Sequence, residues 1–317
     1  MSEFILVVGV TVAIFILIRK IASGARCKSK AKLHGKTVVV TGSNTGIGRE
    51  TATDLARRGA RVILACRSEV RGEAAVAIVK RESRSSNVVF MELDLASLKS
   101  IRSFAETFLR TEKRLDILIN NAGVVSQGTT EDGLGLMFGV NHIGHFLLTN
   151  LLLDRLKECG PSRVISVSSM CHQFGSLDFS LLYAHKEFGK GNSCMDNLKT
   201  YCNSKLCNVL FIHELAKRLQ GTSVTCYSLH PGVVNTALYR SYHPMVRKLI
   251  KPIAAMFFKD VEAGAQTSLY CAVQEGIEGL SGQYFSNCAV KKVQPKARDD
   301  AVAKKLWEVS EKLCRLS

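Results

Sequence analysis

The sequence predicts an α/β fold, with a doubly wound parallel sheet in a single domain. Three observations carry that prediction. From residue 37 onward, apolar strand-like runs alternate with helix-length amphipathic segments, a rhythm that lays helices on both faces of a parallel sheet. The first run, Thr37-Val38-Val39-Val40, leads through Thr41-Gly42-Ser43-Asn44-Thr45-Gly46-Ile47-Gly48 into the helix-forming stretch Arg49 to Arg58, which stops at Gly59. At 317 residues and 46% hydrophobic content, the chain can bury one large core, and no long Pro/Ser-rich linker, low-complexity tract or internal repeat divides it.

Ahead of that domain, Phe4 to Ile18 is an unbroken apolar or uncharged run closed by Arg19-Lys20. It is shorter than the roughly 20 residues that span a bilayer, but Ser2 and Ile21 to Ala25 can extend it while Lys20 snorkels. Residues 1–22 are therefore read as an N-terminal membrane segment, 23–35 as a basic juxtamembrane linker and 36–317 as the folded domain. A cleaved signal peptide is the alternative, with Ser23-Gly24-Ala25 as a small-residue site and a secreted product. No basic residue precedes the apolar run, which argues against it. The basic flank holds the domain on the cytosolic side.

Strands are expected at Thr37–Thr41, Arg61–Cys66, Val88–Glu92, Leu115–Asn120, Arg163–Ser168 and Val224–Leu229, with a short edge strand near Gly282–Phe285. Helices are expected at Glu69–Ser83, Leu98–Glu112, Leu134–Glu158, Tyr201–Gln220 and Asp299–Cys314.

The glycine-rich turn is the first functional signal. Strand, turn and helix make a Rossmann-type dinucleotide site. The glycines permit a tight bend and a close approach, and the helix start offers unpaired N–H groups to a pyrophosphate. Gly42, Ser43, Asn44, Thr45, Gly46, Ile47 and Gly48 are the candidate contacts. Their spacing is Gly-x-x-x-Gly-x-Gly rather than the commoner Gly-x-Gly-x-x-Gly. At the end of the second strand Arg67 stands where NAD enzymes place an acid. A guanidinium there attracts a 2′-phosphate, which favours NADP(H) over NAD(H); a solvated surface arginine is the plain alternative. Asp94 is placed to meet the adenine edge or to cap the next helix. Asn121, Ala122 and Gly123 close the fourth strand, either passing under the adenosine half or simply ending the strand.

Tyr201 and Lys205 lie four apart at the start of a helix, so phenol and ammonium share one face. A nearby ammonium favours phenolate and brings a tyrosine towards useful acid–base strength, and Lys205 can also hold a nicotinamide ribose. Ser169 ends the fifth strand, at the edge where doubly wound sheets bind ligands, and can hydrogen-bond a substrate carbonyl; a capped turn is the alternative. Asn141 sits in the long fourth helix, where its amide can bend the helix and hold a water leading to Lys205. Pro231, Gly232, Val233 and Thr236 follow the sixth strand and can fix a carboxamide, or form an ordinary turn. His142 and His145 are three apart, but no third ligand accompanies them, so no metal is expected.

The net charge is +16, and residues 19–36 alone hold seven Lys/Arg and no acid. No nucleic-acid motif or basic–aromatic interleaving accompanies this charge; an anionic membrane surface and a phosphate-rich cofactor explain it. Eleven cysteines without Cys-x-x-Cys pairs argue against a disulfide framework or a zinc site and suit a reducing compartment.

Taken together, Thr-Gly-x-x-x-Gly-Ile-Gly, Asn-Asn-Ala-Gly, Asn141, Ser169, Tyr201-x-x-x-Lys205 and Pro231-Gly232-x-x-x-Thr236 resemble the short-chain dehydrogenase/reductase family over residues 36 to about 290. Leu64 to Arg67, Val140 to Leu148, Gly264 to Tyr270 and Leu280 to Phe285 resemble its membrane-associated, NADP(H)-preferring retinol dehydrogenase branch. The resemblance implies reversible hydride exchange between NADP(H) and an apolar aldehyde or ketone, with retinal/retinol as the leading pair. In that reading Tyr201 protonates the oxygen, Ser169 binds it, Lys205 activates Tyr201 and Asn141 completes a water path. It also implies an endoplasmic reticulum membrane location with the domain facing the cytosol, and it allows homo-oligomers. Steroid or lipid carbonyls fit the same features, as does a non-catalytic NADP(H)-binding scaffold. Phe174 to Lys199 is longer than the branch usually has and should border the substrate mouth. Met245, Leu249, Ile250, Met256 and Phe257 can wall an apolar pocket.

Overall fold

The computed structural model describes residues 22–180, 194–234 and 258–316. The expected membrane segment falls almost wholly outside this range, as do Thr236 and the apolar wall from Met245 to Phe257. No helix among the described residues is long and apolar enough to cross a membrane.

Eight strands form one sheet: β1 (Thr37–Thr41), β2 (Arg61–Cys66), β3 (Val88–Glu92), β4 (Ile117–Asn120), β5 (Ser162–Val167), β6 (Val224–His230), β7 (Tyr284–Ser286) and β8 (Ala289–Val290). Their order is β3-β2-β1-β4-β5-β6-β7-β8. All neighbours pair in parallel except β7 with β8. The order reverses between β1 and β4, and that switch point opens the crevice in which such sheets bind ligands.

The longer helices are α1 (Gly46–Arg57), α2 (Glu69–Ser83), α3 (Leu98–Thr111), α4 (Gly144–Leu151), α5 (Leu153–Glu158), α6 (Cys194–Arg218), α7 (Val261–Val273) and α8 (Asp300–Leu313). Strand residues divide by parity between two cores, as side chains alternating across a sheet must. Val39, Ile63, Leu118, Val164 and Cys226 join the core with α3, α4, α6 and α8. Val38, Val40, Val62, Leu64, Ile119 and Tyr227 join the core with α1, α2 and α7. On the first face Trp307 of α8 packs at 4.8 Å from the Phe146 ring, with the Arg218 guanidinium 4.2 Å from the indole. The hydroxyl of Ser310, also on α8, meets His142 Nε2 at 2.9 Å.

Three departures from the sequence reading bear on the site. The long fourth helix is not continuous. A single turn at Leu136–Phe138 passes into a π-helical turn at Gly139–Ile143, then α4, then a break at Leu152 before α5. α6 starts at Cys194, almost two turns before Tyr201, so Tyr201 lies inside the helix rather than at its start. The basic stretch after Ser23 is not a loose linker. The Ala25 amide donates to Asn287 Oδ1 (2.7 Å), that of Cys27 to Gln266 Oε1 (3.0 Å), and the Arg58 guanidinium donates to the Ser29 carbonyl (2.8 Å). Leu33 ends the stretch inside the core.

Candidate active site

The turn after β1 is shaped by its packing against the end of β4. Gly42 has φ +63° and Gly46 φ +61°, conformations that favour glycine. A Cβ at Gly42 would come 2.8 Å from Ala122 Cα, and one at Gly48 would meet Gly42 O at 2.7 Å and Asn121 Nδ2 at 2.5 Å. Asn121 fastens the two loops together, its Nδ2 donating to Thr41 O at 2.8 Å. The Ser43 hydroxyl turns inward and donates to Val40 O at 2.7 Å. The side chains of Ser43 and Asn121 are thus engaged within the turn, and both serve it.

The first turn of α1 fits an anion. Thr45 occupies the N-cap without a side-chain cap bond, and no acid lies in the first turn. N–H groups left without a protein partner at a helix start attract phosphate. At the far side of the crevice Arg67 is 66% exposed, and its Nε lies 4.0 Å from Asp94 Oδ2. The other Asp94 oxygen accepts from Ala96 N at 2.9 Å. The helix-capping alternative for Asp94 is therefore partly realised, although the cap proper of α3 is Ser97.

The Asn-Asn-Ala-Gly loop, the π turn and α6 converge on one point. A Cβ on Gly123 would lie 3.3 Å from Lys205 Nζ and 3.5 Å from Asn141 Oδ1. Asn141, fully buried, accepts from Val124 N (2.8 Å) and donates to Val124 O (3.0 Å) and Ser204 Oγ (3.0 Å). Its amide pins the loop after β4 to the bent helix.

The backbone carbonyl of Asn141 faces His145 Nδ1 at 3.2 Å, and His145 Nε2 meets Thr41 Oγ1 at 2.8 Å. A carbonyl only accepts, so Nδ1 carries the proton and Nε2 accepts from Thr41. Thr41 Oγ1 in turn accepts from the amides of Asn121 (2.9 Å) and Ala122 (3.0 Å). Burial pushes the His145 pKa down to about 4, which keeps the ring neutral. The sequence reading missed this relay from glycine turn to bent helix, although Thr41 and His145 both lay in motifs it quoted. His142 is a core residue among Phe138, Phe146 and Phe211, and no metal-binding cluster occurs among the described residues.

Lys205 is 3% exposed. Its Nζ donates to Val167 O at 3.0 Å and stands 5.7 Å from the centre of the Tyr201 ring. Burial pulls its pKa down to about 8. Beside it, the sheet edge separates two serines. The Ser168 hydroxyl is buried and donates to Lys205 O at 2.7 Å. Ser169 is half-buried, caps a 3₁₀ turn at Met170–Phe174, and its Oγ accepts from Cys171 N at 3.2 Å. The capped-turn alternative is present here, at the carboxyl end of β5.

After β6, Gly232 takes φ +97°. A Cβ there would come 2.7 Å from Lys259 Cδ, and the Lys259 amide donates to Val233 O at 2.8 Å. Pro231 and Gly232 are half-buried and Val233 is exposed. Lys259 was not foreseen; in sequence it stands more than twenty residues from the turn that it supports.

Comparison with known proteins agrees with this geometry. The chain is 52% identical to dehydrogenase/reductase SDR family member 13 from Bos taurus, over 100% of this chain and 83% of that protein. It is 50% identical to human retinol dehydrogenase 12, over 92% of this chain and 90% of that protein. A solved structure of an uncharacterised protein from Mycobacterium paratuberculosis superposes with a TM-score of 0.71 at 34% identity, covering 92% of this chain and 98% of that one. The short chain dehydrogenase family matches residues 36–246. With a nucleotide-shaped glycine turn joined through Asn141 to a buried lysine and its tyrosine, the chain belongs to the short-chain dehydrogenase/reductase family of NAD(P)-dependent oxidoreductases, which act on CH–OH groups.

Proposed function

We propose that the protein is an NADP(H)-preferring reductase of apolar aldehydes or ketones, with retinal/retinol as the leading substrate pair. In this reading its N-terminal segment tethers it to the endoplasmic reticulum membrane, with the folded domain facing the cytosol. The observation that carries the reading is the buried Lys205 ammonium beside the Tyr201 ring, with the Ser169 hydroxyl at the neighbouring strand end. The names of the similar retinol dehydrogenases support the retinoid pair. Arg67 at the end of β2 supports a 2′-phosphate on the cofactor.

The bound dinucleotide supplies the hydride; the chain supplies position and proton. Residues of the glycine turn and the start of α1 would hold its pyrophosphate, and Gly123, Lys205 and the Pro231–Val233 turn its nicotinamide half. Ser169 donates a hydrogen bond to the substrate carbonyl oxygen. Tyr201 delivers a proton to that oxygen, and the Lys205 charge lowers the cost of leaving phenolate behind.

Purified protein is assayed with retinal and NADPH, with NADH as the control and a steroid ketone and a long-chain aldehyde alongside. Turnover of retinal with NADPH faster than with NADH supports the reading. Turnover of the steroid alone refutes the retinoid assignment, and equal rates with NADH refute the cofactor preference. Protease treatment of intact microsomes tests sidedness: a protected domain refutes the cytosolic orientation.

A further inference from the structure

The basic N-terminal stretch and the turn after β6 meet at one lysine, which the chemistry above does not use. The buried side chain of Lys259 runs between two glycines from distant parts of the chain. On one side is Gly232, where a Cβ would come 2.7 Å from Lys259 Cδ and 2.8 Å from Cε. On the other is Gly24, where a Cβ would come 2.9 Å from Nζ. Both glycines have positive φ, +97° and +70°, so each position suits glycine by conformation as well as by space. The Lys259 backbone holds the turn too: its amide donates to Val233 O at 2.8 Å, and the residue bridges Val234 in parallel.

Asn287 closes the arrangement. With Cys288 it forms the two-residue turn between β7 and β8, at φ +55° and +57°. These are the paired left-handed conformations of a type I′ hairpin, which favours asparagine in its first position. Asn287 Oδ1 accepts from the Ala25 amide at 2.7 Å and from Lys259 Nζ at 3.4 Å. A carboxamide oxygen has two lone pairs, so it can take both donors. Cys288 grips the same residue from its other peptide group, its Sγ donating to Ala25 O at 3.6 Å.

We propose that Asn287 is a positioning residue: through Lys259 it fastens the Pro231–Val233 turn to the N-terminal stretch, and this clasp strengthens binding of the nicotinamide dinucleotide. The proposal rests on the reading of that turn as a seat for the nicotinamide half. Gly232 gives the turn no side chain to pack and Val233 is exposed, so the turn leans on the lysine stem and on the Val233–Lys259 bond. A turn held in its binding shape beforehand avoids the ordering cost that a loose one incurs when the ligand arrives. The N-terminal stretch thus acts on affinity through the turn.

The test compares full-length wild type with three variants, by hydrogen exchange of the cofactor-free protein and by NADPH binding and turnover. Asn287→Gly keeps the hairpin conformation and removes the oxygen. The Lys259 amide should then exchange about tenfold faster and the NADPH Kd should rise about tenfold, with kcat at saturating NADPH within about twofold of wild type. Gly24→Ala pushes the N-terminal stretch off Asn287 Oδ1 from the opposite side, and should shift exchange and Kd in the same direction. Asn287→Asp keeps an acceptor for both donors and gives the ammonium an opposite charge; its exchange should be no faster, and its Kd no higher, than wild type. An unchanged Kd in Asn287→Gly would overturn the proposal, as would an Asn287→Asp protein as weak as Asn287→Gly. Faster exchange spread evenly over β1 and β4 to β6, rather than concentrated at Lys259, would overturn it too. A protein that binds no NADPH, although its Lys259 amide responds as expected, would overturn the cofactor reading beneath the proposal. An active protein with no response at Lys259 or in Kd would overturn the proposal alone.

Discussion

Lys205→Met is expected to destroy turnover and yet make the cofactor-free protein more stable. The lysine is held with its proton in a buried site that pulls its pKa from 10.5 to about 8. Near neutral pH the native state therefore carries a charge that the unfolded chain holds more comfortably. At about 1.4 kcal/mol per pKa unit, the penalty is about 3 kcal/mol. Methionine keeps most of the stem packing and removes the charge. It also removes the Nζ bond to Val167 O, although Asn208 Nδ2 still reaches that oxygen at 3.4 Å. Losing one hydrogen bond returns about 1 kcal/mol, so the net gain should be about 1–2 kcal/mol. The pH dependence gives an independent check. A lysine with a lowered native pKa binds fewer protons folded than unfolded between about 8 and 10.5, so wild-type stability from this group should rise with pH across that window. The variant should lack this rise. Urea unfolding of both proteins at pH 7 and pH 9.5 measures each quantity. A variant less stable than wild type at pH 7, or one with the same pH slope, would refute the reasoning.

Tyr201→Phe should lower kcat by about 10²–10⁴ while NADPH still binds, as intrinsic fluorescence titration would show. A variant that keeps its turnover would remove the tyrosine from the chemistry. Arg67→Ala should raise KM for NADPH about tenfold, the size of a lost charge-assisted bond, and leave KM for NADH unchanged; parallel changes would mean Arg67 is only a surface charge. Gly48→Ala forces a methyl within 2.7 Å of Gly42 O, so it should destabilise by about 1–3 kcal/mol and weaken cofactor binding; an unchanged thermal midpoint would count against the packing described. Burial lowers His142 to about 3, and His145 and His230 to about 4. The unfolded chain binds protons at these groups first, so stability should fall as pH drops from about 6.5 towards 4. In H145Q that fall in the urea midpoint should be shallower.

Much of the fold was legible because both of its periodicities are strong. β1 and β2 match their sequence spans because Val38 to Val40 and Val62 to Ala65 are buried on both faces, leaving one apolar run bounded by turns. The long fourth helix misled because its apolar pattern runs straight through Gly139–Ile143. Nothing in hydropathy reports that Asn141 has tertiary partners in Val124 and Ser204, and those partners accompany the π turn. α7 went unread for a related reason. Val261 to Val273 is almost wholly buried, so no polar face marks its period, although Asp260 caps it by accepting from Ala263 N at 2.7 Å. Motif residues could be located from sequence, but their duties could not. Ser43 and Asn121 sit inside the cofactor motifs and yet hold up the turn, a distinction that depends on which way a side chain points. The His145 relay joins residues more than a hundred positions apart and leaves no local trace.

The docked strand of backbone from Ala25 to Leu33 sets a leash. Between Ile18, where the leading apolar run ends, and Ala25, whose amide is fastened to Asn287, lie too few residues for a long reach; even fully drawn out at about 3.5 Å each they extend roughly 25 Å. If the run before them is seated in lipid, the domain is kept within about its own radius of the bilayer. A water-shy aldehyde leaving that surface would then have only a short aqueous crossing before it met the enzyme.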